Sequence, residues 1–188
     1  MNWLARRRIA ISLIGFTSLV LVNVFVVGNS PRNPLAISQP LVLGSLLLIL
    51  VGLVIRTWSA GTLNKSRELT TVGPYALVRN PLYVVSFLMM FGFCVLCRDL
   101  PTFIFVALPM SLLYWVQVRF EEVRLLGLFP EQWPDYASSV PRFFPKLYSR
   151  RALRGWTVYE WLRNREYQAV LASCLGLLGV YVWYVVAS

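Results

Sequence analysis

Apolar runs alternate with short polar breaks along the whole chain. Residues 9–27 form a predominantly apolar run behind the basic head Arg6, Arg7 and Arg8. At about 1.5 Å rise per residue such a run crosses a bilayer core as a helix. No small-residue cleavage site follows it cleanly, so a retained anchor is expected rather than a signal peptide. A loop rich in Pro, Asn and Ser, Gly28 to Pro40, precedes a second run, Leu41 to Trp58. Ser59 to Asn80 is polar. A third, shorter run covers Pro81 to Cys97, and the tight turn Arg98-Asp99-Leu100-Pro101 leads into a fourth, Thr102 to Val118. So short a turn makes runs three and four an antiparallel helical hairpin. Arg119 to Arg165 is the longest polar stretch, and Tyr167 to Val186 is a fifth apolar run. The pattern predicts an all-α polytopic membrane bundle of about five transmembrane helices.

Composition agrees. Of the 188 residues, 57% are hydrophobic and only 14% are charged, against roughly a quarter charged in soluble domains. The net charge of +10 invites a nucleic-acid reading, but its placement argues otherwise. With the N-terminus in the cytoplasm, the inward-facing head and loops hold sixteen of the eighteen Lys and Arg residues, counting Arg56; the outer loops hold Arg32 and Arg98. This is the positive-inside asymmetry, and it puts the C-terminus outside. The charge is then a matter of topology and lipid headgroups, with no nucleic acid. The mixture of Arg150, Arg151 and Arg154 with Trp156, Tyr159 and Trp161 suits a helix lying in the membrane interface.

Chemistry is constrained by what is missing. The chain has no histidine and three cysteines, all inside apolar runs. That removes the commonest general base and metal ligand, any Ser-His-Asp triad, and a disulfide framework; no metal site is expected. The informative stretch is Gly73-Pro74-Tyr75 followed by Arg79-Asn80-Pro81-Leu82-Tyr83. Asn80 can cap the third helix, with Pro81 at its first position. A helix start beside an arginine favours an anionic group. Glu121-Glu122 follows the end of the fourth run, on the same inner side. Adjacent on a helix, these carboxylates point about 100° apart, so only one can enter a given cleft. A carboxylate facing a helix N-terminus would suit a zwitterionic amino-acid head with a further positive centre.

The series Leu69-Thr70-Thr71-Val72-Gly73-Pro74-Tyr75, Arg79-Asn80-Pro81-Leu82-Tyr83 and Glu121-Glu122, with the tail Phe129-x-x-x-Trp133-x-x-Tyr136 and Val140-Pro141-Arg142, resembles the isoprenylcysteine carboxyl methyltransferase and phospholipid methyltransferase superfamily. The likeness covers roughly residues 41–146. It divides the chain into an N-terminal anchor and outer loop (1–40), a methyltransferase-like core (41–146), and a basic-aromatic segment with a last span (147–188). The resemblance implies an integral membrane enzyme with S-adenosylmethionine in a pocket at the cytosolic face. Arg67, Glu68, Leu69, Thr70, Tyr75, Asn80, Pro81, Leu82, Tyr83 and Glu121 would bind the cofactor, Arg79 and Glu122 would serve catalysis, and Gln117 and Arg119 would meet the substrate. Two positions depart from the family pattern: Asn80 replaces a common His, and Gln117 stands where isoprenylcysteine enzymes carry an Arg one turn before the first Glu.

Methyl transfer from a sulfonium is an in-line displacement that needs alignment and exclusion of water. An ionised nucleophile needs no base, and the lack of histidine leans that way; otherwise Glu122, Glu68 or a tyrosine must take the proton. The expected partner is a lipophilic small molecule or lipid, entering from the bilayer of a cell inner membrane or its equivalent. The alternative is a non-catalytic lipid-binding or scaffold protein on the same fold. A transporter is disfavoured, because no span is broken at mid-depth by charge or paired Gly and Pro.

Overall fold

The computed structural model describes Ser18, Val22, residues 28–64 and residues 68–187. The first apolar run, those two residues apart, and Arg67 lie outside the described residues. Every regular element among the described residues is helical. We label the α-helices α1 (Pro40–Thr62), α2 (Pro81–Cys97), α3 (Leu100–Leu128), α4 (Trp133–Ser139), α5 (Val158–Arg163) and α6 (Tyr167–Ala187). A 3₁₀ turn, Gly73–Ala76, precedes α2. Helices α1, α3 and α6 are long and apolar enough to cross a membrane, and α2 is shorter. Leu43, Leu47 and Leu50 of α1 and Leu171, Leu175 and Leu178 of α6 are exposed, which suits lipid contact.

Helix α1 runs four residues past the end of its apolar stretch. Ser59 and Thr62 turn their hydroxyls back onto the carbonyls of Ile55 (2.7 Å) and Trp58 (2.8 Å), so polar side chains continue the helix without stranded donors. Asn164 then closes the end, its amide donating to the carbonyls of Ala60 and Leu63 at 2.9 Å each. Helix α2 keeps its expected bounds, with Pro81 at its start. It stops at Arg98, which takes a left-handed conformation (φ 55°). Asp99 caps α3, accepting from the Thr102 N–H at 2.9 Å and from its hydroxyl at 2.5 Å.

Glycine sets the approach of α1 and α2. A Cβ on Gly92 would lie 2.8 Å from the Ser45 carbonyl oxygen and 2.7 Å from Ile49 Cγ1. Backbone cannot swing aside as a side chain does, so Gly92→Ala is expected to cost about 1–3 kcal/mol. Gly44, with open space around it, should tolerate alanine or gain up to about 1 kcal/mol of helix propensity. Unfolding of the two variants in micelles, compared with the parent, measures the contrast.

Helix α3 is not uniform. Val106–Met110 forms a π-turn around Pro109, whose ring and missing N–H break the regular ladder. The helix then continues through Glu121 and Glu122 to Leu128, ten residues beyond its apolar stretch. Aromatic rings fill the α2–α3 seam: Tyr83 and Phe87 each meet Tyr114 at 5.2 Å, and Phe91 meets Phe103 at 5.0 Å. Helix α4 folds back so that Trp133, Tyr136 and Val140 pack on Leu125 and Leu69.

The basic-aromatic segment departs from expectation. Only Val158–Arg163 is helical, capped by the Thr157 hydroxyl. Gly155 holds a left-handed φ of 87° and precedes a Trp156 ring laid against Gly61, so the backbone before Thr157 turns instead of coiling. Below it, Glu166 meets Arg56 of α1 at 2.5 Å, and Arg56 also donates to Ser86 of α2 at 2.8 Å. Burial pushes the Glu166 carboxyl above its ordinary range, against the opposing pull of Arg56. Helix α6 returns along the bundle, with Val180 packed among Val42, Ile49 and Leu96 at the far end.

Candidate functional site

The end of the bundle where α1 stops and α2 starts collects the polar chemistry. Glu121 of α3 is partly buried and faces α2. Its Oε1 accepts from the Tyr83 hydroxyl at 2.7 Å and from the Gln117 amide at 3.0 Å. Gln117 lies one turn earlier on the same helix, so its reach to Glu121 follows from helical spacing. The Tyr83 ring, itself packed on Tyr114, stands beside this carboxylate. A carboxylate next to aromatic faces is suited to a cation.

Glu122 points elsewhere, as the 100° offset requires. It is buried and clamped by two guanidiniums. Arg142 grips both oxygens, at 2.9 and 2.6 Å, and Arg79 reaches Oε1 at 3.1 Å. The hydrogen bond to Glu122 raises the Arg142 guanidinium further above its high range, and the Trp115 ring lies under it at 5.4 Å. Both oxygens of Glu122 are thus engaged by guanidiniums. Its visible work is to tie α3 to the loop before α2 and to the segment after α4.

Backbone bonds complete that tie. Arg79 N–H donates to Pro141 at 2.8 Å, Lys146 N–H to Leu77 at 3.0 Å, and Gly73 N–H to Arg151 at 2.9 Å. The Tyr136 hydroxyl donates to the Tyr75 carbonyl at 2.9 Å. Burial, with the Tyr136 hydroxyl and the Glu121 carboxylate adding to it, holds the Tyr75 hydroxyl protonated far above its ordinary range. Burial likewise raises Tyr136, against Arg79 and helped by Glu122.

The expected residues therefore fall into groups. Tyr83, Gln117 and Glu121 form one cluster, and Arg79 and Glu122 another. Tyr75 is buried between them and the α4 contact, and Pro81 and Leu82 form the start of α2. Asn80 holds the N-cap position, but its side chain does not cap. Its amide donates to the Arg142 carbonyl at 3.3 Å, and its own carbonyl takes the N–H groups of Tyr83 and Val84. The open helix start that was to hold an anion is thereby partly filled. Arg119 is exposed and, two positions from Glu121, lies on another side of α3. Arg67 is outside the described residues. Glu68, Leu69 and Thr70 line a separate cavity of about 520 Å³, opposite residues 155–160. Arg142 was legible only as part of a Pro-Arg tail motif; among so many cations no spacing rule singles it out.

These features define an all-helical membrane protein with a polar site at one end of its bundle, where two adjacent carboxylates meet different partners. The chain belongs to the phospholipid methyltransferase family, whose model matches residues 40–132, as the sequence motifs implied. It is 31% identical over 183 residues to the cobalt-zinc-cadmium resistance protein CzcN of Cupriavidus metallidurans, covering 96% of this chain and 82% of that protein. It is 32% identical over 183 residues to the nickel-cobalt-cadmium resistance protein NccN of Alcaligenes xylosoxydans xylosoxydans, covering 96% and 83%. No solved structure matches the chain.

Proposed function

We propose that this protein is an integral membrane methyltransferase that uses S-adenosylmethionine at the cytosolic face and methylates a lipophilic or small apolar acceptor. The observation that carries the reading is the Tyr83–Glu121–Gln117 cluster, which joins two family motifs distant in sequence into one carboxylate site. The residues fit the cofactor. Glu121 offers an anionic oxygen to its ammonium or sulfonium, the α2–α3 aromatic seam offers low-polarity walls, and the cavity lined by Glu68, Leu69 and Thr70 offers hydroxyls and carboxylate. When bound, S-adenosylmethionine supplies an electrophilic methyl group, which a nucleophile displaces in line while the carbon–sulfur electrons return to sulfur.

The chain's own part is positioning. Glu121 holds positive charge at the helix pair. The Arg79–Glu122–Arg142 brace fixes the Gly73–Asn80 loop against α3. The aromatic seam excludes water. The chain has no histidine, which favours an acceptor that arrives as an anion. An apolar acceptor reaches the seam sideways, from lipid. The N-terminus and this end of the bundle face the cytoplasm on the charge asymmetry. Although the named relatives are metal-resistance proteins, no three metal-ligating side chains gather among the described residues. Methylation of a membrane component, not capture of the ion, is the role these residues support.

The detergent-purified protein should bind S-adenosylmethionine saturably, and a labelled methyl group should pass to a component of a lipid extract. Folded protein without binding would favour the scaffold reading.

A further inference from the structure

The C-terminal segment beyond the family match raises a separate question. Gly155, Thr157, Tyr159 and Glu160 lie outside the matched 40–132, yet they form one wall of the cavity of about 520 Å³ whose other wall is Thr62, Asn64 and residues 68–72. Both named relatives share the segment, since the similarity covers 96% of this chain.

The wall is built, not merely adjacent. Thr157 N–H donates to the Gly61 carbonyl at 2.8 Å, and the Trp156 indole N–H donates to Thr57 at 3.3 Å. A Cβ on Gly155 would lie 2.6 Å from Val72 Cγ2. A polar chain joins both walls: Arg163 pairs with Glu160 at 2.7 Å and donates to Asn64 at 3.2 Å, and Asn64 donates to Glu68 at 2.6 Å. The lining thus presents threonine hydroxyls, an amide, two carboxylates and the partly stacked ring of Tyr159. Carboxylates and hydroxyls are what a ribose diol requires, a ring edge suits a base, and the volume lies within the range of small-molecule sites. Val72 lines the cavity and Tyr75, three residues on, feels the Glu121 carboxylate, so the loop leads from the cavity to the cation site.

We propose that this cavity takes the nucleoside end of the methyl donor, with Thr157, Tyr159 and Glu160 of the C-terminal segment supplying its second wall. This rests on the methyltransferase reading above.

Two measurements on the full chain in nanodiscs test it. Binding of S-adenosylhomocysteine should weaken at least tenfold in Thr71→Trp, which fills the cavity, and about threefold or more in Tyr159→Ala. Tyr159 is 64% exposed, so its loss leaves the fold intact. An 8-azidoadenosyl photoaffinity analogue should label peptides containing 68–72 or 155–160. If the parent binds S-adenosylhomocysteine while both variants bind equally well, or the label falls only on α2 and α3, the cavity assignment is wrong and the methyltransferase reading stands. If the parent binds neither S-adenosylmethionine nor S-adenosylhomocysteine, both fail together.

Discussion

Replacing Glu122 with alanine is expected to destabilise the protein by about 2–4 kcal/mol, a larger loss than any other single side-chain truncation at this end of the bundle. The reason is what remains. Arg79 and Arg142 keep side-chain exposures of only 13% and 24%, and without Glu122 two like charges face each other with no counter-ion. Removing one member of a buried pair strands the rest, and the stranded charge dominates the cost. The partial exposure of Arg142 keeps the figure below that of a fully buried pair. Glu122→Gln, which keeps the shape and some hydrogen bonds but loses the charge, should fall between. Chemical unfolding in micelles gives the ranking; alanine within about 0.5 kcal/mol of the parent would show that the brace is not under load.

The neighbouring carboxylate should behave oppositely. Glu121→Ala is expected to weaken S-adenosylmethionine binding at least a hundredfold while moving stability by less than about 1 kcal/mol. Glu121 is partly exposed and engages a tyrosine hydroxyl and an amide, so its loss leaves no buried charge unpaired. The binding loss follows because a cation in a low-polarity site depends on its counter-charge. Tyr83→Ala should also lose binding, whereas Glu131→Ala, altering an exposed side chain, should keep it. Equilibrium binding beside unfolding on the same preparations separates the two effects. A Glu121→Ala protein that binds like the parent would sink the cation-site assignment.

That two adjacent carboxylates meet different partners was partly legible in the sequence. Helical geometry alone says that Glu121 and Glu122 cannot share a cleft, and the hairpin turn says that they neighbour Arg79 and Tyr83. Which carboxylate is braced depends on Arg142, twenty residues on in a segment whose path no local pattern dictates. The same division holds for the fold. Helix α2 could be bounded from Pro81 and the Arg98–Asp99 turn because its ends are written in local backbone chemistry. Helices α1 and α3 outrun their apolar stretches because hydropathy marks where lipid contact ends, not where backbone hydrogen bonding does. The segment after Pro145 has the composition of an interfacial helix, but Gly155 and the contact of Trp156 with Gly61 override it. The cavity was invisible for a related reason: its walls come from stretches nearly a hundred residues apart, joined by backbone bonds that carry no residue signature.

The π-turn around Pro109 sets the angular phase of everything downstream on its helix. An inserted residue shifts the later side chains by about 100° relative to an uninterrupted α-helix. The orientation of Gln117 and Glu121 toward Tyr83 is therefore fixed by two anchors: the capped start at Asp99 and a one-residue offset within the apolar stretch. The polar cluster at one end of the bundle is thus aimed from within the apolar part of the helix, at a proline well removed from Gln117 and Glu121 in the chain.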